Sequence, residues 1–279
     1  MGSRLPRMDQ LTGGFPMNAL PFAAILFSAA FTVYLNLPLA PAAADRPTVV
    51  LNVYGPGGPL PAMKDAAATF GRQHHLQINV IGGPPPHWLP KATQDADMIF
   101  SGSEDMMSTL ELAMQGAIDP STIRPLYLRK AAILVRPGNP SHIKGLDDLL
   151  QPGHHILVVN GAGQQGLWED IAARHGRITS VAKLRANIAT VAPNSGVARD
   201  DWVKDTSLDA WLTWTIWQVS NPTLADQVPI EESSQIYRDV GIGLTTKGKA
   251  RPEARQFLDF LQSSEGEQIF RHWGWEPVR

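Results

Sequence analysis

The sequence predicts an α/β protein built on mostly parallel sheets flanked by helices, on three observations. Short apolar runs rich in β-branched residues alternate with stretches of helical spacing from Thr48 to the C-terminus. Four times the chain passes from such a run through a glycine- or serine-rich loop into a helix, the pattern of α/β units. No cysteine occurs in the 279 residues, so packing and not a disulfide framework must hold the fold. The length allows one domain or two.

Residues 1–44 stand outside this pattern. Arg4 and Arg7 give a basic start, although a start at Met17 would remove it. Ala19 to Ala40 is apolar and uncharged, and Ala42-Ala43-Ala44 offers a small-residue cleavage site before Asp45. That is the layout of a secretory signal peptide. The apolar run is longer than a usual signal core, so an uncleaved membrane anchor is the alternative. Pro21, Pro38 and Pro41 and the alanine-rich exit favour cleavage. A mature chain of about 235 residues then carries a net charge near −3, once Arg4, Arg7 and Asp9 are gone. That is not a nucleic-acid binder's balance. Without cysteine there is no lipid anchor either, so a freely diffusing periplasmic protein is expected.

Thr48 to Tyr54 is the first strand. It empties into Gly55-Pro56-Gly57-Gly58-Pro59, and a helix follows from Ala62 to His74 with Met63, Ala66, Ala67 and Phe70 on its inner face. Gln77 to Ile81 is the next strand, ending in the rigid loop Gly82 to Pro86. Asp97 to Phe100 is the third, and Ser101-Gly102-Ser103-Glu104 opens a helix from Asp105 to Gln115. Ser103 stands where an N-cap would, yet Ser101 and Ser103 also place hydroxyl donors beside free N–H groups. Leu126 to Val135 is longer than a short strand needs, and a segment of that kind can cross between domains. Asp147 to Leu150 is a short helix.

The stretch His155 to Asp170 is the most informative. Ile156 to Val159 is a buried strand, Asn160 to Gly166 a glycine-rich turn, and Leu167 onward has helical spacing. Free N–H groups and the positive end of the helix dipole meet there, where an anion is stabilised. Gly161, Gly163 and Gly166 match the dinucleotide spacing G-x-G-x-x-G. That fingerprint wants an acidic residue about 20 positions on, and none occurs between Asp170 and Asp200. No nucleotide or other cofactor is expected.

Asn187 to Val191 is another strand, leading through Ala192-Pro193-Asn194-Ser195-Gly196 to a helix from Val197 to about Lys204. Trp211, Trp214 and Trp217 recur every third residue, which suits neither a clean strand nor a clean helix. A strand to Trp214 with a turn after it fits best. Trp214, at the strand's end, is then a candidate wall for a ligand, although core packing is the ordinary fate of a tryptophan. Val228 to Ile230 and Tyr237 to Leu244 are the last extended runs. Pro252 to Phe270 is helical, and His272 to Trp275 closes the chain as packing.

No catalytic set assembles. There is no G-x-S-x-G elbow and no H-E-x-x-H. The pairs His74-His75 and His154-His155 point to opposite faces of a strand and do not chelate. Asp95 and Asp97 have a spacing that can bind metal, but a solvated strand entry is the simpler reading. Arg129 and Arg136, beside Tyr127, offer fork geometry to a carboxylate or oxyanion, with surface ion pairs as the alternative. What repeats is the strand–loop–helix unit. Two facing domains of this kind would enclose one small anion with four helix N-termini and no cation.

Leu51 to Pro59 (LNVYGPGGP), Ala96 to Glu104 (ADMIFSGSE), Val158 to Asp170 (VVNGAGQQGLWED), Ala192 to Ser195 (APNS) and Asp209 to Trp217 (DAWLTWTIW) resemble the accessory colonisation factor AcfC family. These are periplasmic solute-binding proteins related to the molybdate- and sulfate-type proteins of ABC importers. The resemblance implies a two-lobed type II binding protein that closes on its ligand. Lobe one would hold residues 45–126 and 240–279, and lobe two residues 127–239 with a hinge strand at each end. In molybdate-type relatives a serine after the first strand, a serine after the third and a late tyrosine meet the ligand. Here the first position falls in Gly55 to Gly58, the second on Ser101 or Ser103, and the third on Trp214. Two missing hydroxyls argue against molybdate, because a buried oxyanion needs its acceptors satisfied.

The expected function is therefore capture of a small anion, an inorganic oxyanion or a small organic carboxylate, without catalysis or bound metal; a periplasmic sensor or colonisation-related binding protein with no transport role, or a periplasmic hydrolase, is the alternative. Delivery would be to an inner-membrane ABC permease or a chemoreceptor, by a monomer. The expected contacts are Gly57, Gly58, Ser101, Ser103, Gly161, Gly163, Asn194, Ser195 and Trp214, with Tyr127 and Arg129 in addition.

Overall fold

The structure, a computed structural model, describes residues 49–277. The signal-peptide expectation for residues 1–44 lies outside them. Among the described residues no helix is long and apolar enough to cross a membrane.

The chain begins β1 (Val50–Gly55), α1 (Leu60–His74), β2 (Gln77–Gly82), α2 (Leu89–Asp95), β3 (Met98–Phe100) and α3 (Glu104–Ala113). The long β4 (Arg124–Val135) follows, then α4 (Leu146–Leu149), β5 (Ile156–Val159), α5 (Leu167–Ala173), α6 (Ile178–Asn187), β6 (Ile188–Ala192) and α7 (Ser195–Lys204). β7 (Ala210–Trp214), α8 (Thr215–Ser220), β8 (Asp226–Pro229) and β9 (Tyr237–Leu244) come next. The chain ends α9 (Thr246–Lys249), α10 (Pro252–Leu261), α11 (Ser264–His272) and β10 (Glu276–Pro277).

The strands follow one path, β2-β1-β3-β9-β4-β7-β5-β6, with β8 and β10 also paired to β4. β4 is the crossing element. Its first half, Arg124 to Lys130, pairs with β9, and its second half, Ala131 to Val135, pairs with β7 and β8. The chain returns between β8 and β9, where Ala131 N donates to Ile236 O at 2.9 Å. The result is the α/β, two-lobed arrangement that the resemblance implied.

The sheet is mixed, however, and not mostly parallel. β1 pairs parallel with β2 and β3, as β5 does with β6 and β7. Every pairing that involves β4 or β9 is antiparallel. These strands carry the chain between the halves, so they are not laid down by strand–helix–strand crossovers, which parallel pairing requires.

Burial explains the elements. Ala62, Met63, Ala66, Ala67 and Phe70 form the inner stripe of α1, and all four residues of β5 are buried. One core cluster runs through both halves, from Phe70 and Phe257 to Leu184 and Leu212. Two smaller clusters lie outside it, one around Trp88, Met107 and Leu110, the other around Trp202 and Trp211. The tryptophan triplet divides between these layers. Trp211 and Trp214, three apart on β7, face opposite sides. The segment after Trp214 is the helix α8 and not a turn, and it brings Trp217 back to 5.9 Å from Trp211. The last helical stretch is two helices. Ser263 caps α11 by accepting from Gly266 N at 3.2 Å, and a Cβ at Gly266 would sit 2.4 Å from Phe260 O.

Candidate ligand-binding site

The loops at the carboxyl ends of β1, β2, β3, β5 and β6 face one cavity of about 490 Å³, where open α/β sheets take their ligands. Gly57, Gly58, Gly163, Asn194, Ser195 and Arg129 all line it. The four loops singled out in the sequence thus converge, and the β2–α2 loop with Pro84, Pro85 and Pro86 joins them.

Arg129 forms the floor. It sits just before the point where β4 passes from one sheet half to the other, and only 3% of it is exposed. Its guanidinium lies 4.5 Å from the Trp214 ring and 5.5 Å from the Trp275 ring. Nη2 donates to Gly102 O, and the buried Nε has no partner among the described residues. The two nearest glycines make the room. A Cβ would come within 3.0 Å of Nη1 at Gly58 and 3.1 Å of Nη2 at Gly102. Burial pushes the Arg129 pKa down to about 9, against the pull of Asp239 and with a push from Arg238. The side chain stays charged at neutral pH, so it is a desolvated cation with hydrogen-bonding capacity to spare. This corrects the expectation of a cage without a cation. It also corrects the reading of Trp214 as ligand wall: that ring is fully buried and supports Arg129 instead.

The helix N-termini are partly spent on their own caps. Ser103 Oγ accepts from Met106 N at 3.1 Å, and Asn194 Oδ1 accepts from Val197 N at 3.0 Å. α1 starts at Pro59 with another proline, Pro61, in its first turn, and neither has an N–H to offer. Glu104 and Asp105 in the first turn of α3 offset its dipole. Glu104 also meets Asp239. Burial first, then hydrogen bonding and charge repulsion from Asp239, raise the Glu104 pKa to about 7. Asp239 Oδ2 is buried with no hydrogen-bond partner among the described residues. Both carboxylates and Ser101 Oγ crowd Gly241, whose Cβ would lie 3.0 to 3.4 Å from all three.

The opposite wall holds a neutral relay. Thr213 Oγ1, on β7, donates to Gln164 Oε1 at 3.2 Å, and Gln164 Nε2 donates to Ser195 Oγ at 2.5 Å. Ser195 therefore accepts from Gln164 and keeps its own hydroxyl proton for an acceptor in the cavity. All three side chains are buried. The β5–α5 and β6–α7 loops are locked together at Gly161 (φ 153°), where a Cβ would meet Pro193 O at 2.3 Å.

The remaining expected residues lie behind this surface. Ser101 is fully buried in the β3–β9 pairing and accepts from Gly241 N at 3.3 Å. Ser103 and Gly161 are one layer back, Ser103 Oγ lying 2.9 Å from where a Cβ of Gly163 would be. Tyr127 donates to Leu261 O at 2.5 Å and stacks on Phe270 at 4.4 Å, in the core and away from the cavity. Arg136 is no ligand group either: it donates to the carbonyls of Leu208, Trp202 and Asp205 and stacks on Trp202 at 3.7 Å. Asp97 is not a solvated strand entry. It is fully buried and accepts from Arg251 at 3.0 Å and Asn52 N at 2.8 Å. Gln164, Thr213 and the apolar residues Leu89, Met106 and Leu110 were not singled out in the sequence, and Trp217, noted there only within the tryptophan triplet, also lines the cavity. Only the strand-to-helix position of Gln164 hinted at it.

The family profile described as "Bacterial extracellular solute-binding protein" matches residues 51–276. No curated protein sequence matches the chain. A solved structure of PEB3 with bound L-phospholactate is similar, with 37% identity and a TM-score of 0.77 over 82% of this chain and 100% of that one. PEB3 from Campylobacter jejuni is similar at 36% identity and a TM-score of 0.75, with the same coverage. The Azotobacter vinelandii periplasmic molybdate-binding protein shares the fold at 17% identity and a TM-score of 0.64, over 82% of this chain and 100% of that one.

Proposed function

The chain belongs to the bacterial extracellular solute-binding protein family, and from that premise we propose that it captures a small organic anion in the periplasm and delivers it to an ABC permease. Its finer kinship, on this reading, is with the AcfC-type proteins. Lobe one comprises residues 45–126 and 240–279, lobe two residues 127–239, and β4 with the Gln235–Ile236 return forms the hinge. The lobes close on the ligand and hold it without transforming it. In support, Ser195, the only serine on the cavity wall among the described residues, pairs with the Gln164 amide.

The observation that carries the proposal is Arg129, a cation held at the cavity floor by two tryptophans with donors left over. A ligand with an anionic group at Arg129 and a second acceptor at Ser195 satisfies both walls. A phosphorylated hydroxy acid has that chemistry, as does the L-phospholactate bound by the related PEB3.

The test is thermal unfolding of mature protein (Asp45 to Arg279) against L-phospholactate, glycerate, sulfate and molybdate. A ligand at 100 times its Kd stabilises by about 2.7 kcal/mol, a shift of a few degrees. A shift with an organic anion is expected. A shift with molybdate or sulfate alone, or with none of the four, would overturn the proposal.

A further inference from the structure

We infer that the cleft carries an apolar subsite beside the anion seat, so that its ligand is a small anion bearing an aliphatic or aromatic extension. This deepens the function proposed above and rests on it.

The cavity of about 490 Å³ lies within the range of roughly 300–1,000 Å³ typical of sites for organic ligands. A bare oxyanion at Arg129 leaves most of it to water. What faces that remaining space is largely hydrocarbon. Pro85 and Pro86 come from the β2–α2 connection, Leu89 from the start of α2, and Met106, Leu110 and Ala113 from α3. The α3 residues fall at i, i+4 and i+7, one stripe along the helix, so the sequence presents a continuous apolar face to the cavity. Leu89, Met106 and Leu110 belong to one packed cluster, which makes the wall preformed. Water against such a concave surface finds few partners, and displacing it with apolar ligand surface is favourable at about 25 cal/mol per Å².

The charge is gathered on one side of the cavity. Arg129 donates to Gly102 O, just ahead of α3, and with the Ser195 hydroxyl draws an anion there. Asp105 and Thr109 reach the cavity from the first turns of α3, and the stripe that continues to Ala113 offers an anion no partner. The arrangement therefore favours a ligand whose charge is gathered at one end. A 2-phosphonooxy acid with an alkyl side chain meets the description.

The experiment is calorimetric titration of the mature protein with L-phospholactate and its 2-phosphonooxy homologues up to the hexanoate. Affinity is expected to rise about threefold to fourfold per added methylene, the yield of a buried CH₂, before it levels off. In Leu89→Ser the slope with chain length should flatten, whatever happens to the intercept. Ala113→Asp, on the exposed face of α3, gives the same reading without touching the packed cluster. If phospholactate binds and the longer homologues bind no tighter, the apolar subsite is overturned while the anion seat stands. If the slope is there but neither substitution changes it, this wall is not the subsite and the inference fails. If no member of the series binds, the proposed function and this inference fail together.

Discussion

The β3–α3 and β6–α7 loops have the same construction, a strand, a side-chain cap and a helix, with Ser103 and Asn194 in equivalent roles. Their contributions to the cleft differ. The first wall presents a buried cation, and the acidic residues Glu104 and Asp105 stand behind and beside it. The second presents a neutral hydroxyl, set by Gln164 and Thr213, and no charged side chain on the cavity surface. One wall thus supplies attraction and the other supplies oriented donors. The lesson is that a repeated strand–loop–helix motif fixes where a ligand goes and leaves its recognition to side chains outside the motif. Arg129 comes from the long strand β4, and Thr213 from β7.

The largest effect should come from removing the charge on the first wall. Arg129→Gln is expected to weaken anion binding about 100- to 1,000-fold, the consequence of deleting one partner of a desolvated charge pair. Titration against L-phospholactate checks it, and a loss under tenfold would return the helix N-termini to the leading role. The next contrast sets two glycines that look alike in sequence against each other. Gly161→Ala must hold an unfavourable φ and displace Pro193 O, and should cost about 2 kcal/mol or more. Gly57 has nothing within 4 Å of an added Cβ, so Gly57→Ala should stay within about 0.5 kcal/mol. Chemical denaturation of both variants measures the difference, and equal losses would mean that the two loops are constrained alike.

A smaller effect is expected on the neutral wall. Thr213→Val leaves Gln164 Oε1 without its donor, and affinity should fall about fivefold to tenfold, near 1 kcal/mol of lost orientation at Ser195. The smallest is a pH dependence confined to the first wall. Glu104 is raised from the ordinary carboxylate range to about 7, so the folded state binds its proton more tightly than the unfolded chain does. Its stabilising contribution is fully present below about 4.5 and is lost as pH rises through about 7. Because Glu104 is exposed, solvent screening keeps the effect slight. The melting temperature of wild type should decline across that window more than that of Glu104→Gln. Parallel profiles would show that the carboxyl pair does not couple to folding.

Much of the scaffold was legible because its causes are local. An apolar run, a glycine turn and a helical stripe lie within a dozen residues of one another, so β1, β5 and their loops could be placed from periodicity and turn chemistry. The cap at Ser103 was one of two readings for the same reason, the other being a ligand contact. The long run from Leu126 to Val135 stood out as a crossing segment because its length alone exceeds what one short strand needs. The helix break at Ser263 was locally written too, as a serine followed by Glu265 and Gly266, but the apolar spacing on either side concealed it.

The recognition chemistry was not legible, because its causes are distant in sequence. The chain by itself determined an α/β protein with small-residue loops at the strand ends, since those features follow from neighbouring residues. It offered Arg129 as one of two arginines with fork geometry for a carboxylate or oxyanion, with surface ion pairing as the alternative. Tertiary structure decided against the surface pair, by bringing Trp214 and Trp275 against that guanidinium, from 85 and 146 residues away, and by leaving Gly58 and Gly102 open to it. Burial between those rings strips water from the charge, and a desolvated cation with unused donors gains more from an anion than a solvated one does. The same folding turned Tyr127 and Trp214 from candidate contacts into supports, and made a wall of Leu89, Met106 and Leu110 that periodicity alone would assign to the core.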